Sequence, residues 1–179
     1  FNIVGDSTKG TQVAGYFNIN GDYMSGFQAA GLFNINNIQK GVQLAGLMNI
    51  NRESSAGASV AGLMNFGGIV RGAQVASIAN INDTLNGVAF SALFNSSKSG
   101  NNSAQVSGLF NKQKEGSTTF QLAGLFNRTS YLKGVQIAPF NFADSASGVP
   151  IGFLSFVKKG VHQVELSGDE FFAANISSL

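Results

Sequence analysis

The sequence has no cysteine, no tryptophan and only two prolines in 179 residues, and charged side chains make up just 11% of it, against roughly 25% in an ordinary soluble domain. Each shortage excludes something. Without cysteine there is no disulfide framework and no thiolate metal site. The 11 basic and 9 acidic side chains leave a net charge of +2. That is no basic footprint, so no nucleic-acid partner is expected. No apolar run reaches the roughly 18 residues of a membrane-spanning helix, and no secretory leader is visible. The single histidine, His162, cannot build a zinc site alone. Its one acid close in sequence is Glu165, so we read it as a surface or capping residue rather than an acid–base catalyst.

Other chemistry is equally thin. No Gly-x-Ser-x-Gly elbow occurs, and Ser107-Gly108 and Ser167-Gly168 read as ordinary repeat and turn residues. The glycines fit neither a phosphate loop nor a dinucleotide fingerprint. The carboxylates are scattered, and Asp169-Glu170 reads as a solvated pair. We therefore expect no enzyme, no catalytic residue, no metal and no cofactor.

What is present is a repeat. Gly41-Val42-Gln43-Leu44-Ala45-Gly46-Leu47-Met48-Asn49-Ile50-Asn51 has relatives beginning at Gly10, Gly26, Gly57, Gly72, Gly87, Ser103, Thr119 and Gly134, spaced 15 or 16 residues apart. A degenerate copy begins at Gly148. With the leading residue numbered zero, position eight is Asn18, Asn34, Asn49, Asn65, Asn80, Asn95, Asn111 and Asn127, and Asn141 continues the series after a one-residue deletion near Pro139. Position two is mostly glutamine, and position four is always alanine or serine. No charge falls in positions zero to eight of these nine copies; Lys40, Arg52, Glu53, Arg71, Asp83, Lys98 and Lys133 lie between copies. Phe1-Asn2-Ile3 matches Phe17-Asn18-Ile19. We read this as a fragment opening inside a copy, with its true N-terminus and any signal peptide outside the sequence.

Apolar residues at odd positions and amides or small residues at even ones make a period-two pattern, which is a strand signal. Two architectures can use it. In a parallel β-solenoid of 15–16-residue coils, each asparagine lies about 4.8 Å above the last and the amides bond into a ladder. In an antiparallel up-and-down β-barrel, successive asparagines fall at opposite rims, and their constancy has no physical reason. The uniform spacers and the lack of aromatic girdles also argue against a membrane barrel. The expected fold is thus an all-β parallel β-solenoid of about ten coils, the first partial, over residues 1–157. Residues 158–179 would form a degenerate cap or the start of a following domain, with Phe171-Phe172 marking the break. We expect two faces, at positions one to four and six to ten, with Val42, Leu44, Met48 and Ile50 and their equivalents filling the core between them. Charged segments between copies are expected to be turns.

The repeated GVQLAGLMNIN motif, with the closing segment from Gly148 to Gly160 and Glu165-Leu166-Ser167, resembles a bacterial surface-repeat family, exported repeat proteins of Leptospira and the Bacteroidetes. The resemblance covers residues 1–170. It implies an exported protein of the cell surface or outer membrane, and it supplies no catalytic residues. Asp6-Ser7-Thr8, Asp83-Thr84-Leu85 and Asp144-Ser145-Ala146 resemble the O-glycosylation acceptor of exported Bacteroidetes proteins, making Ser7, Thr84 and Ser145 candidate glycan sites, with simple turn chemistry as the competing reading. The sequons at Asn95 and Asn127 are discounted because their asparagines belong to the ladder.

The expected function is a non-enzymatic repeat scaffold of the cell surface or outer membrane, adhesive or ligand-presenting. Its ligand is unidentified, and self-association or a cell-envelope partner is the natural interaction. The competing reading is an outer-membrane barrel acting as a pore or anchor. A lyase on a β-helix is the weakest, because positions zero to eight lack charge.

Overall fold

The computed structural model describes residues 1–159, and the backbone alone of 174–177. The chain is all-β, with no helix among the described residues. Its strands are β1 (Asn2–Val4), β2 (Thr8–Ala14), β3 (Phe17–Ala30), β4 (Phe33–Ala45), β5 (Met48–Ala61), β6 (Met64–Ala76), β7 (Ala79–Leu85), β8 (Val88–Ser91), β9 (Phe94–Ser99), β10 (Ser103–Ser107), β11 (Phe110–Gln113), β12 (Ser117–Ala123), β13 (Phe126–Ile137), β14 (Phe140–Ala146), β15 (Val149–Ile151), β16 (Leu154–Lys159) and β17 (Ala174–Ser177).

Every pairing between these strands is parallel, and each joins a residue to its equivalent one repeat later. The asparagine column fixes the register: Asn18 pairs with Asn34, Asn34 with Asn49, Asn49 with Asn65 and Asn65 with Asn80. The alignment continues past the glycine-led copies, through Asn141 with Ser155 and Ser155 with Asn175. The fold is therefore a β-solenoid. The antiparallel barrel is excluded, because neighbouring copies run in one direction.

Each coil has three sides rather than two. The first, positions one to three, ends at the Gly-Leu turn of positions five and six. The second, positions seven to nine, ends near position ten. The third occupies the charged spacer, which is strand and not turn: β4, β5 and β6 run unbroken across it. The one-residue difference between 15- and 16-residue copies is absorbed where the second side meets the third, as register shifts between Asn20 and Tyr23 and between Asn51 and Ser54, the behaviour of a bulge. In the first five glycine-led coils the chain returns to the first side through a glycine with left-handed backbone, Gly26, Gly41 and Gly57 having φ of 127°, 110° and 118°, a conformation open to glycine at little cost.

The core is the reverse of the expectation. Val42 and Leu44 are 39% and 37% exposed, while Gln43 and Asn49 between and after them are fully buried. Met48 and Ile50 are only half-buried. Inward positions are two, four, eight, ten and thirteen, or fourteen in the 16-residue copies, carrying mostly Gln, Ala, Asn, Asn and a mixed column. The branched apolar side chains of positions one, three and nine point out. The physical reason is that neutral amides stacked at the coil repeat satisfy one another and the inward-facing carbonyls, so their burial carries no unpaired group. Among the described residues Val70, Leu85 and Ala89 form an apolar cluster in the interior. His162, Glu165, Asp169-Glu170 and Phe171-Phe172 lie outside the described residues.

Candidate functional site

The asparagine column is the most regular feature. Each amide nitrogen donates to the Oδ1 of the next asparagine, from Asn2 to Asn18 through to Asn127 to Asn141, at 2.8–3.1 Å. Its second hydrogen goes to the carbonyl at position three of the following coil, as in Asn34 to Leu44 O at 2.6 Å and Asn49 to Val60 O at 2.8 Å. Each asparagine thereby braces the Gly-Leu turn from inside. All amide dipoles point the same way along the axis, an arrangement in which bonds strengthen one another. The candidate ladder residues Asn18, Asn34, Asn49, Asn65, Asn80, Asn95, Asn111, Asn127 and Asn141 are each fully buried, so none offers a polar track to a ligand.

Two further columns share the interior. Asn20 donates to Asn36 Oδ1 at 2.8 Å, and across the core to Gln12 Oε1 at 2.9 Å. Gln121 and Gln136 each donate to the preceding glutamine at 2.7 Å. Thr8, Gln12 and Asn20 come together from three sides of the coil, which is what closes the interior.

The position-ten column, which carries serine, threonine or alanine at Ser97, Thr129 and Ala143 further along, has a gap at Gly67. Gly67 stands where Asn51 and Asn82 place amides before and after it in the position-ten column. Around this gap Asn51 Nδ2, Asn82 Oδ1 and both polar atoms of Gln74 are buried without a partner. The space is filled by Val70: a Cβ on Gly67 would lie 2.4 Å from Val70 Cγ2 and 2.7 Å from Asn82 Oδ1.

Outside, the three sides differ in kind. The first carries Phe27, Val42, Leu44, Val60, Val75 and Phe90, all exposed. The second carries stacked rings, with Phe17–Phe33 centroids 5.4 Å apart and Phe94–Phe110 5.1 Å apart. Between them the turn presents a ridge of leucines, among them Leu63, Leu93, Leu109 and Leu125, the last 49% exposed. The third side holds the charges, including exposed ion pairs Lys98–Asp83 at 2.6 Å and Lys158–Asp144 at 2.8 Å. Lys112 and Arg128 sit at position nine, on the second side beside its border with the third.

The candidate glycan sites divide. Ser7 is exposed, between the Gly5-Asp6 bend and β2. Thr84 and Ser145 are not in turns: they lie within β7 and β14, half-buried, and Thr84 Oγ1 is 2.8 Å from Ser99 Oγ. The spacers resemble turns in composition, but as strands of the third side they take ladder bonds that a turn lacks.

Among the described residues no group of three or more histidines or carboxylates could hold a metal ion. A shallow groove near the later coils is lined by Arg128, Phe142, Asp144, Phe156 and Lys158, with the Lys158–Asp144 pair across it. Comparison with family models, with curated proteins and with solved structures found no match for the chain.

Proposed function

We propose that the chain is a non-enzymatic repeat scaffold of the bacterial cell envelope, exposed at the cell surface or held at the outer membrane, which acts through its outer sides and not through a pocket. The observation that carries this is the sidedness of the coil. Its amides are spent on one another inside, and its apolar side chains face out along the whole array. Soluble monomers rarely expose contiguous apolar patches beyond a few hundred Å². Two sides roughly 10 Å wide and about 45–50 Å long, from three residues per side and ten coils at 4.8 Å, far exceed that. Such a surface is made to be covered by a partner, a ligand or the envelope itself. The resemblance of the repeat to exported surface-repeat proteins agrees with this placement. A pore is set aside because the interior is filled with side chains.

The absence of cysteine supplies the test. Asn101→Cys places one thiol on an exposed bend between β9 and β10. In intact cells that make the protein, a membrane-impermeant maleimide should label it, and the protein should fractionate with the envelope. Labelling only after lysis, with the protein in the soluble fraction, removes the proposal.

A further inference from the structure

We propose that the rod lies lengthwise in an anionic lipid surface, leucine ridge inward and charged side toward the headgroups; this deepens the envelope reading above by naming the partner. In cross-section the coil is a wedge. Its apex is the Gly-Leu turn, its flanks are the two apolar sides, and its base is the charged third side. The wedge is amphipathic in the same sense as an in-plane helix, only with sheets for faces.

Three observations favour lipid over a second copy of the chain. Both flanks and the apex are apolar apart from Lys112 and Arg128 at the base edge of the second flank, whereas a two-fold contact covers one flank and leaves the other in water. The flanks are about three residues, or roughly 10 Å, deep, which matches the 5–10 Å to which interfacial elements sink their apolar face. The described coils carry eleven basic and six acidic side chains. All lie on the base or, for Lys112 and Arg128, beside it, where long basic side chains reach headgroups while their stems stay apolar.

The backbone permits this placement. Backbone bonds run from coil to coil along the axis, as in Leu47 N to Leu32 O at 3.0 Å and Leu63 N to Leu47 O at 2.9 Å on the ridge itself. The flank backbone is thereby paired between coils, the condition a lipid-facing segment must meet.

The chain's lack of tryptophan makes the test clean. Leu93→Trp puts a reporter on the ridge, and Asn101→Trp puts one on the base. Each purified protein is mixed with vesicles of phosphatidylcholine containing about one-third phosphatidylglycerol. The expected result is flotation with the vesicles, a blue shift and strong quenching by acyl-chain-brominated lipid for Leu93→Trp, and neither for Asn101→Trp. A Leu63→Asp, Leu93→Asp, Leu125→Asp variant should lose vesicle binding at least tenfold while keeping its β circular dichroism. If that variant unfolds, the two tryptophan reporters decide alone. The proposal is overturned if the protein stays with the aqueous phase. It is equally overturned if both reporters are quenched alike, or if Leu93→Trp is already blue-shifted without lipid in a particle of twice the mass, since a second copy then covers the ridge. Failure here with surface labelling intact leaves the scaffold reading standing and removes only lipid as its partner.

Discussion

Asn49 donates its side-chain amide to Asn65 Oδ1 at 2.9 Å, one coil further along the rod. Asn65 in turn donates to Val75 O at 2.8 Å and to Asn80 Oδ1 at 2.9 Å. Asn65→Ala removes all three links and strands the Asn49 and Val75 groups in the interior. Leaving buried polar groups unpaired costs roughly 1–3 kcal/mol each, so we expect a loss of about 2–4 kcal/mol in urea unfolding. Val60→Thr, on the outward side, should cost less than about 0.5 kcal/mol, as exposed substitutions do. This reverses the usual order, in which the aliphatic position is the sensitive one. A larger loss at Val60 than at Asn65 contradicts the sidedness of the coil.

The gap at Gly67 gives a prediction with two signs. Gly67→Asn restores the column and offers an acceptor to Asn51 Nδ2, which has no partner now. Alone it fails, because its Cβ would press on Val70 Cγ2. Overpacking of this kind costs roughly 1–3 kcal/mol. Val70→Ser alone also destabilises, since it empties the centre of the small apolar cluster. Together the two replace a misfit by the chemistry of the coil below, where Ser55 occupies the equivalent of Val70. The double variant should be more stable than the sum of the single losses by at least about 1 kcal/mol, the coupling expected of touching residues. Additive losses in a thermal-unfolding cycle would show that the amides do not converge on this point.

Much of this architecture was legible, and its blind spot was specific. The uniform column of Asn34, Asn49 and Asn65 has a reason only if like residues stack, and stacking forces parallel coils. Period-two alternation, however, is unchanged when inside and outside are exchanged. The choice between Val42 with Leu44 and Gln43 with Asn49 then fell on the habit of burying aliphatics. A signal against it was present: Lys112 and Arg128 share position nine with Ile19, Ile35 and Ile50, so that position must reach water. The third side was missed because charge and serine imitate a turn. Its strand signal is one uncharged inward residue per coil, in Met24, Gln39, Ser55, Val70 and Leu85, too sparse a period to stand out. The same error placed Thr84 and Ser145 in turns.

In the coils led by Gly10, Gly26, Gly41, Gly57 and Gly72 the corner into the first side takes left-handed backbone, whereas Gly87, Gly134 and Gly148 turn it without. Where Ser103 replaces the leading glycine, Asn102 at φ 54° carries the left-handed residue just before it, and Gly116, stacked on Gly100 three residues before Thr119, has φ 80°. Gly57→Ala should be severe, because a Cβ there lies 2.1 Å from Gly41 O and left-handed backbone costs a side chain roughly 1–2 kcal/mol on its own. We expect more than 2 kcal/mol in total. Asn102→Gly should be neutral or stabilising by up to about 1 kcal/mol, since glycine suits that angle better than asparagine does. Chemical denaturation of both variants checks the pair. An Asn102→Gly variant as damaged as Gly57→Ala would mean that the corner does not depend on backbone handedness.

The buried polar residues described here are all asparagine, glutamine, serine or threonine, none of which titrates. Stability should therefore change little from mildly acidic to neutral pH, unlike domains that bury carboxylates or histidine. Among the described residues one group departs from its ordinary behaviour. The Tyr23 phenol is shifted down, chiefly by a hydrogen bond with the Ser25 side chain, with Lys40 assisting by its charge; the Lys40 Nζ stands 5.6 Å over the ring. A lowered acid favours its charged form in the fold, so any gain from it appears only as the pH rises through the phenol range near 10 and is absent at neutral pH. Because Tyr23 titrates on the surface, the readout is spectroscopic: absorbance at the phenolate band should give an early component, which moves up in Ser25→Ala and, by less, in Lys40→Met. A marked stability change between about pH 5 and 8 would require an ionisable group inside the rod, and that would contradict an interior built from neutral amides.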